Sequence, residues 1–143
     1  VVRLNLKGNV LQRRKVALDG DSNNGLEGIC IDGAGNLYVL KEKKPGLLIA
    51  LDADFSTKRE YELDFAKDYS GLVYDPQRQR FWVLSHEDGE LYLWDNRLGL
   101  ISSHSLPAAK AEGVTLDGAA ERLYVISETD QTLYSYALSA APD

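Results

Sequence analysis

Methionine is absent from this 143-residue sequence and cysteine occurs once. No apolar run approaches the roughly 18 residues that would suggest a membrane span. A lone Cys30 excludes an internal disulfide, and its apolar setting reads as a buried, inert thiol rather than a nucleophile. Without methionine, Val1 is not expected to be a natural start. The opening Val1-Val2-Arg3-Leu4-Asn5-Leu6 alternates like a strand and lacks the charged-then-apolar layout of a signal peptide, so any targeting segment lies outside these residues or does not exist. Positive charge is also short: 16 Lys and Arg against 22 Asp and Glu leave a net charge of −6, the opposite of what nucleic acid attracts. The small basic clusters at 12–15 and 77–80 read as solvated edges. Missing too are a sustained helical period, a nucleophile elbow, a phosphate loop, zinc-ligand spacing and a catalytic triad set.

What is present is a repeat. Leu26-Glu27-Gly28-Ile29-Cys30-Ile31-Asp32 is echoed by Tyr69-Ser70-Gly71-Leu72-Val73-Tyr74-Asp75 and by Ala111-Glu112-Gly113-Val114-Thr115-Leu116-Asp117. Each is followed by a second apolar segment (Leu37 to Glu42, Phe81 to His86, Leu123 to Glu128) and a third (Leu47 to Asp52, Leu91 to Asp95, Leu133 to Tyr136). Gly28, Gly71 and Gly113 are spaced by 43 and 42 residues, the period of four-stranded propeller blades. Polar, Gly-rich or Pro-containing stretches between the segments close hairpins, and Asp32, Asp75 and Asp117 open those turns by bonding their own backbone. The glycines are expected to relieve crowding or to adopt special backbone angles.

Polarity grades across each unit. The first two segments are nearly continuous in apolar residues, as strands covered on both faces must be, whereas the outermost, Ser56 to Leu63, is largely charged. A β-sandwich gives no reason for that gradient to recur three times. The expected fold class is therefore all-β: about three four-stranded β-propeller blades, half of a six-bladed propeller. Residues 1–24 are expected to hold outer strands (Val1–Leu6 and Val10–Leu18) of a preceding blade, 25–66 and 67–108 one blade each, and 109–143 an incomplete last blade. Closed propellers need about four to eight blades, so closure calls for either a homodimer completing a six-bladed ring or a missing N-terminal half of the same protein.

The pattern Glu-Gly-Ile/Val-x-x-Asp, then Leu-Tyr-Val-Leu/Ile-x-Glu, then Leu-Tyr/Ile-x-x-Asp resembles the SdiA-regulated (YjiK-like) family of bacterial propellers. It is carried by Glu27-Gly28-Ile29 to Asp32, Leu37 to Glu42 and Leu47 to Asp52, and again by Glu112 to Asp117 and Leu123 to Glu128. The resemblance implies a six-bladed propeller in the periplasm or cell envelope, often behind an N-terminal membrane anchor, with no assigned activity. This chain departs from it by carrying about half the expected blades.

In a blade, the start of the first strand and the end of the second reach the same face. That logic pairs Glu27 with Glu42, Ser70 with His86, and Glu112 with Glu128 on one channel rim. Clustered carboxylates repel one another and invite a hard cation, so Glu27, Glu42, Glu112 and Glu128 are the candidate metal ligands and calcium the candidate ion. Ser70, His86, Glu87 and Asp130 are candidate ligand-binding residues, and Asp68 lies close enough to add a ligand. Set against this, an isolated Glu before a strand Gly commonly bonds backbone amides, and repeats copy structural residues as readily as ligands. The leading reading is a non-catalytic module that binds a ligand or partner across the propeller face. The alternative is a calcium-dependent hydrolase, by analogy with lactonase-like and phytase-like propellers that use rim carboxylates around calcium.

Overall fold

Short apolar segments broken by Asp, Gly and Asn turns become strands throughout, and no helix occurs among the described residues. The computed structural model describes residues 1–16, 18 and 25–138. A two-stranded sheet pairs β1 (Val2–Leu4) with β2 (Val10–Arg13). A four-stranded meander follows, comprising β3 (Leu26–Ile31), β4 (Leu37–Lys41), β5 (Gly46–Leu51) and β6 (Thr57–Leu63). The next is β7 (Gly71–Asp75), β8 (Arg80–Ser85), β9 (Glu90–Asp95) and β10 (Gly99–Ser105). The last has three strands, β11 (Ala111–Leu116), β12 (Arg122–Ser127) and β13 (Thr132–Ala137). All pairings are antiparallel.

The sheets stack face to face as propeller blades. First strands meet first strands, β3 on β7 and β7 on β11, which places them innermost. Alternate residues of each strand serve opposite interfaces. Tyr92 and Trp94 of β9 join Leu40, Leu48 and Leu63 of the preceding blade, whereas Leu91 and Leu93 join Leu123 and Val125 of the following one. A third cluster, with Val16, Val39, Ile49, Leu51 and Phe55, covers the other side of the first complete blade. Fully buried Leu40, Leu48 and Leu84 each contribute about 1.5–3 kcal/mol through their removal from water. The outer strand β6 is mostly exposed, as its charge suggests, but the expected cover of the first strand fails at β3, whose residues are exposed or half-buried because no inner strand of a preceding blade lies beside it among the described residues; burial peaks in β4, β5, β8 and β9.

The repeated glycines have a steric cause. None of Gly28, Gly71 and Gly113 has positive φ. A Cβ on Gly28 would lie 2.8 Å from Leu72 Cβ, and one on Gly71 would lie 3.2 Å from Val114 Cγ1, each on the next blade's first strand. Glycine lets the inner strands converge there. The turn aspartates behave as read: Asp32 Oδ1 accepts from the amides of Ala34 and Asn36, both at 2.9 Å, and Asp75 Oδ1 from those of Gln77 and Arg78, both at 3.0 Å.

The N-terminal pair is shorter than the sequence suggests. Asn5 Oδ1 accepts from the amides of Lys7 and Asn9, closing a turn through Gly8 at φ 82, and this stops β1 at Leu4. Pairing with β1 likewise ends at Arg13, and Ala17 of the expected Val10–Leu18 strand lies outside the described residues.

Candidate functional site

The rim at which β7 begins and β8 ends is built around one carboxylate. Asp68, three residues before Gly71, is completely buried. Its Oδ1 accepts the Ser85 hydroxyl at 2.5 Å and the Glu87 amide at 3.0 Å. Its Oδ2 stands 2.5 Å from His86 Nδ1 and meets no other donor among the described residues. A buried carboxylate oxygen is costly unless it is partnered, and the part-exposed imidazole is the one group that meets this atom. The imidazole is partly exposed, with 28% of its side chain accessible. Asp68, His86 and Glu87 each offer a ligand atom within 4.8 Å of the others, the one such group of three found among the described residues.

Glu87 connects this group to the preceding blade. Lys43 Nζ lies 3.1 Å from Glu87 Oε1 and 3.0 Å from Glu42 Oε1, so one ammonium bridges two rim carboxylates. Those carboxylates, through hydrogen bonding led by Glu42, raise the Lys43 pKa. Glu42 is well covered, with 14% of its side chain exposed. Glu27 is exposed and lines a shallow hollow with Val1, Gly28 and Val39. On the last sheet Glu128 accepts from Lys110 Nζ at 2.8 Å, and that bond, with a lesser contact to Glu112, holds its carboxyl below the usual range. Glu27, Glu42, Glu112 and Glu128 therefore lie along the rim as the strand logic expects, but do not converge on one ion. Two of them meet lysines instead.

Other candidates have structural occupations. The Ser70 hydroxyl is buried and donates to Ala111 O at 3.0 Å, tying one blade to the next. Asp130 accepts from the Ala109 amide at 3.1 Å and from Tyr134 OH at 3.0 Å, and these bonds lower its pKa. Asp88 does the same one blade earlier, with the Lys67 amide at 3.0 Å and Tyr92 OH at 3.3 Å. Ser-x-x-Asp-x-x-x-Tyr is thus a turn device, readable in the identical spacings Ser85/Asp88/Tyr92 and Ser127/Asp130/Tyr134. His104 lies on the outer strand β10, its ring 5.8 Å from that of Trp82. Cys30 is pushed up to about 12, by burial first and the nearby Asp32 second, which keeps it a thiol.

A family model described as SdiA-regulated matches residues 1–136. Among solved structures, the luciferin-regenerating enzyme is 16% identical, with a TM-score of 0.63 over 87% of this chain and 42% of that one. Streptogramin B lyase is also 16% identical, with a TM-score of 0.57 over 96% of this chain and 47% of that one. Regucalcin from Agrobacterium tumefaciens, a calcium-binding protein, is 19% identical, with a TM-score of 0.56 over 71% of this chain and 37% of that one. At these identities the likeness is one of fold. The chain spans less than half the length of these three solved relatives.

Proposed function

The chain belongs to the SdiA-regulated family, and from that premise we propose that it is a non-catalytic propeller module that binds a ligand or partner at one channel rim, through a divalent cation held by Asp68, His86 and Glu87. The observation carrying this reading is the buried Asp68 carboxylate, whose Oδ2 meets only His86 Nδ1 and whose group of three donors with His86 and Glu87 falls within 4.8 Å. Calcium is the proposed ion because carboxylate oxygens dominate the rim. The calcium-binding regucalcin, similar in fold, supports the same choice. The imidazole is the dissenting donor and suits zinc or manganese better. The cell-envelope location implied by the family resemblance belongs to this proposal and is tested by fractionation of cells.

Isothermal titration with calcium, manganese and zinc chlorides tests the reading. One saturable calcium event, lost in Asp68→Asn, is the expected result. Heat with manganese or zinc alone removes calcium and leaves the module; silence with all three removes the cation.

The alternative, a metal-dependent hydrolase, draws on the same pair. A buried carboxylate behind a part-exposed imidazole is a general-base arrangement. Two of the structures similar in fold, the luciferin-regenerating enzyme and streptogramin B lyase, are enzymes. Calcium-dependent turnover of a lactone or phosphoester, abolished by His86→Gln, would establish it, whereas turnover unaffected by that substitution would exclude this dyad.

A further inference from the structure

The second strand of each repeat ends on a residue that holds the turn after it. In the middle blade and the last sheet this residue is a serine: Ser85 Oγ accepts the Asp88 amide at 3.2 Å, and Ser127 Oγ the Asp130 amide at 3.1 Å. In the first complete blade the same place belongs to Lys41, only 1% exposed. Its Nζ donates to Lys43 O at 2.7 Å and to Pro45 O at 2.8 Å. The turn also has another shape, because its left-handed residue, Lys44 at φ 56, comes one position earlier than Gly89 at φ 64 and Gln131 at φ 49. Among the described residues no backbone–backbone hydrogen bond involves Lys43, Lys44 or Pro45, so the Lys41 ammonium is what fastens their backbone. Two repeats close this turn with a neutral hydroxyl. Burying an ammonium is therefore a cost that blade formation does not require.

What the altered turn delivers is Lys43. Lys43, Glu87 and Thr129 occupy one position in successive repeats, and the first two meet across the blade boundary at 3.1 Å. We propose that Lys41 is a positioning residue for the rim: by gripping the carbonyls of Lys43 and Pro45 it holds the Lys43 ammonium against Glu87. Lys43 is then a tethered internal cation that an ion entering between Asp68, His86 and Glu87 has to displace. The link from Lys41 to Lys43 stands on the hydrogen bonds above, whereas the displaced ion rests on the cation reading of the rim. One of the bonds from Lys41 ends on Lys43 itself, so losing it frees the residue whose side chain makes the bridge. Methionine is the informative replacement, because it keeps an unbranched apolar stem and has no donor.

Two readouts on the intact chain test this. The first needs no metal: brief acetylation of lysine amines, read residue by residue by peptide mass spectrometry. An amine held between two carboxylates reacts slowly, so Lys41→Met should speed acetylation of Lys43 about threefold, the change an ion pair of this exposure supports, and leave Lys67 and Lys110 as they were. Lys41→Ser, the residue of the other two repeats, is the second variant and should behave alike. Unchanged reactivity of Lys43 in both variants overturns the proposal. The second readout is a calorimetric calcium titration of the natural chain, Lys41→Met, Lys43→Met and the double variant. Each single substitution should tighten binding about threefold, and the double variant no further than Lys43→Met, because both act through one ammonium. Full additivity, or calcium bound no tighter by Lys41→Met, overturns it. Silence with calcium in every chain overturns the competition together with the cation reading, while the acetylation result still decides whether Lys41 holds Lys43.

Discussion

One substitution made at three equivalent positions should have three different costs. Gly28, Gly71 and Gly113 occupy the same place in their repeats, yet an added methyl meets different neighbours at each. At Gly28 the new Cβ would sit 2.8 Å from Leu72 Cβ, 3.1 Å from Leu40 Cβ and 3.2 Å from the Leu72 backbone nitrogen. Those atoms belong to strands or are fixed to them, and Leu40 and Leu72 are buried, so no rotamer change relieves the contact. The first strands β3 and β7 must separate by about half an ångström or more, an overpacking cost of about 2–3 kcal/mol. At Gly71 the nearest atoms are Val114 Cγ1 at 3.2 Å and Leu84 Cβ and Cδ2 at 3.3 Å, longer contacts that a displacement of a few tenths of an ångström relieves for about 1 kcal/mol.

At Gly113 the contacts are shorter, 2.7 and 2.8 Å, but both are to the Ile126 side chain, which is 54% exposed and free to swing outward. Replacing glycine there also narrows the unfolded ensemble, worth about 0.4–1 kcal/mol in favour of the fold. Gly113→Ala should therefore be neutral or mildly stabilising. At about 3–4 °C per kcal/mol for a chain of this size, thermal melts followed by circular dichroism should show a Tm drop of about 8 °C for Gly28→Ala. The expected drop is about 3 °C for Gly71→Ala, and Gly113→Ala should not fall. Equal losses at all three sites, or the largest loss at Gly113, would refute the claim that blade-to-blade crowding selects these glycines.

Lys43→Met removes the ammonium shared by Glu42 and Glu87, and should tighten calcium binding at the rim several-fold in a calorimetric titration; weaker binding would show that Lys43 orders the site rather than competing for it. Acid should destabilise the chain in a defined window. Hydrogen bonds hold Asp32 and Asp95 below 3.8 against an opposing burial effect, and Lys67 holds Asp88 below 3.8. A depressed carboxylate contributes its stability fully above the unfolded value and loses it as pH falls through the folded one. The urea midpoint should accordingly be flat above about pH 5 and decline steadily below about pH 4. A midpoint that holds down to about pH 2 would contradict the bonding described for these turns.

The blades were legible because their causes are local and repeated. Apolar strands, Asp turns and close-approach glycines each leave a mark at a fixed offset, and Asp32, Asp75 and Gly28 do in the structure what their spacing suggests. The rim was legible only in outline. Strand ends locate Glu42, His86 and Glu128 correctly, but charge balance at a rim depends on flexible side chains from neighbouring turns, and no periodicity announces these. Lys43 reaching two carboxylates and Lys110 reaching Glu128 are contacts of that kind. Asp68, which the sequence offers only as a nearby further ligand, takes the central place. In sequence it is one acid among 22 Asp and Glu; in the structure Asp75 is equally buried but bonded by Arg78 and Trp82, whereas Asp68 lies beside His86 and Glu87.

The repeat also supplies an internal control for that burial. The position three residues before each repeat glycine is Gly25, Asp68 or Lys110, and the residue facing it at the end of the second strand is Glu42, His86 or Glu128. The Glu42 amide bonds Gly25 O at 3.0 Å and the Glu128 amide bonds Lys110 O at 3.1 Å, so the backbone frame is shared. In the last sheet the slot holds a solvent-facing lysine–glutamate pair, with 54% and 61% of the side chains exposed. In the first complete blade Gly25 leaves the slot without a side chain, and Glu42 turns to Lys43. The fold therefore accepts an empty slot or a surface ion pair, and an exposed pair adds little stability. Only the middle blade encloses a carboxylate at this position, with hydrogen bonds on one oxygen and the His86 contact alone on the other. A cost that two equivalent positions avoid is not required by blade formation, and that contrast is the ground on which the proposed cation site at Asp68 rests.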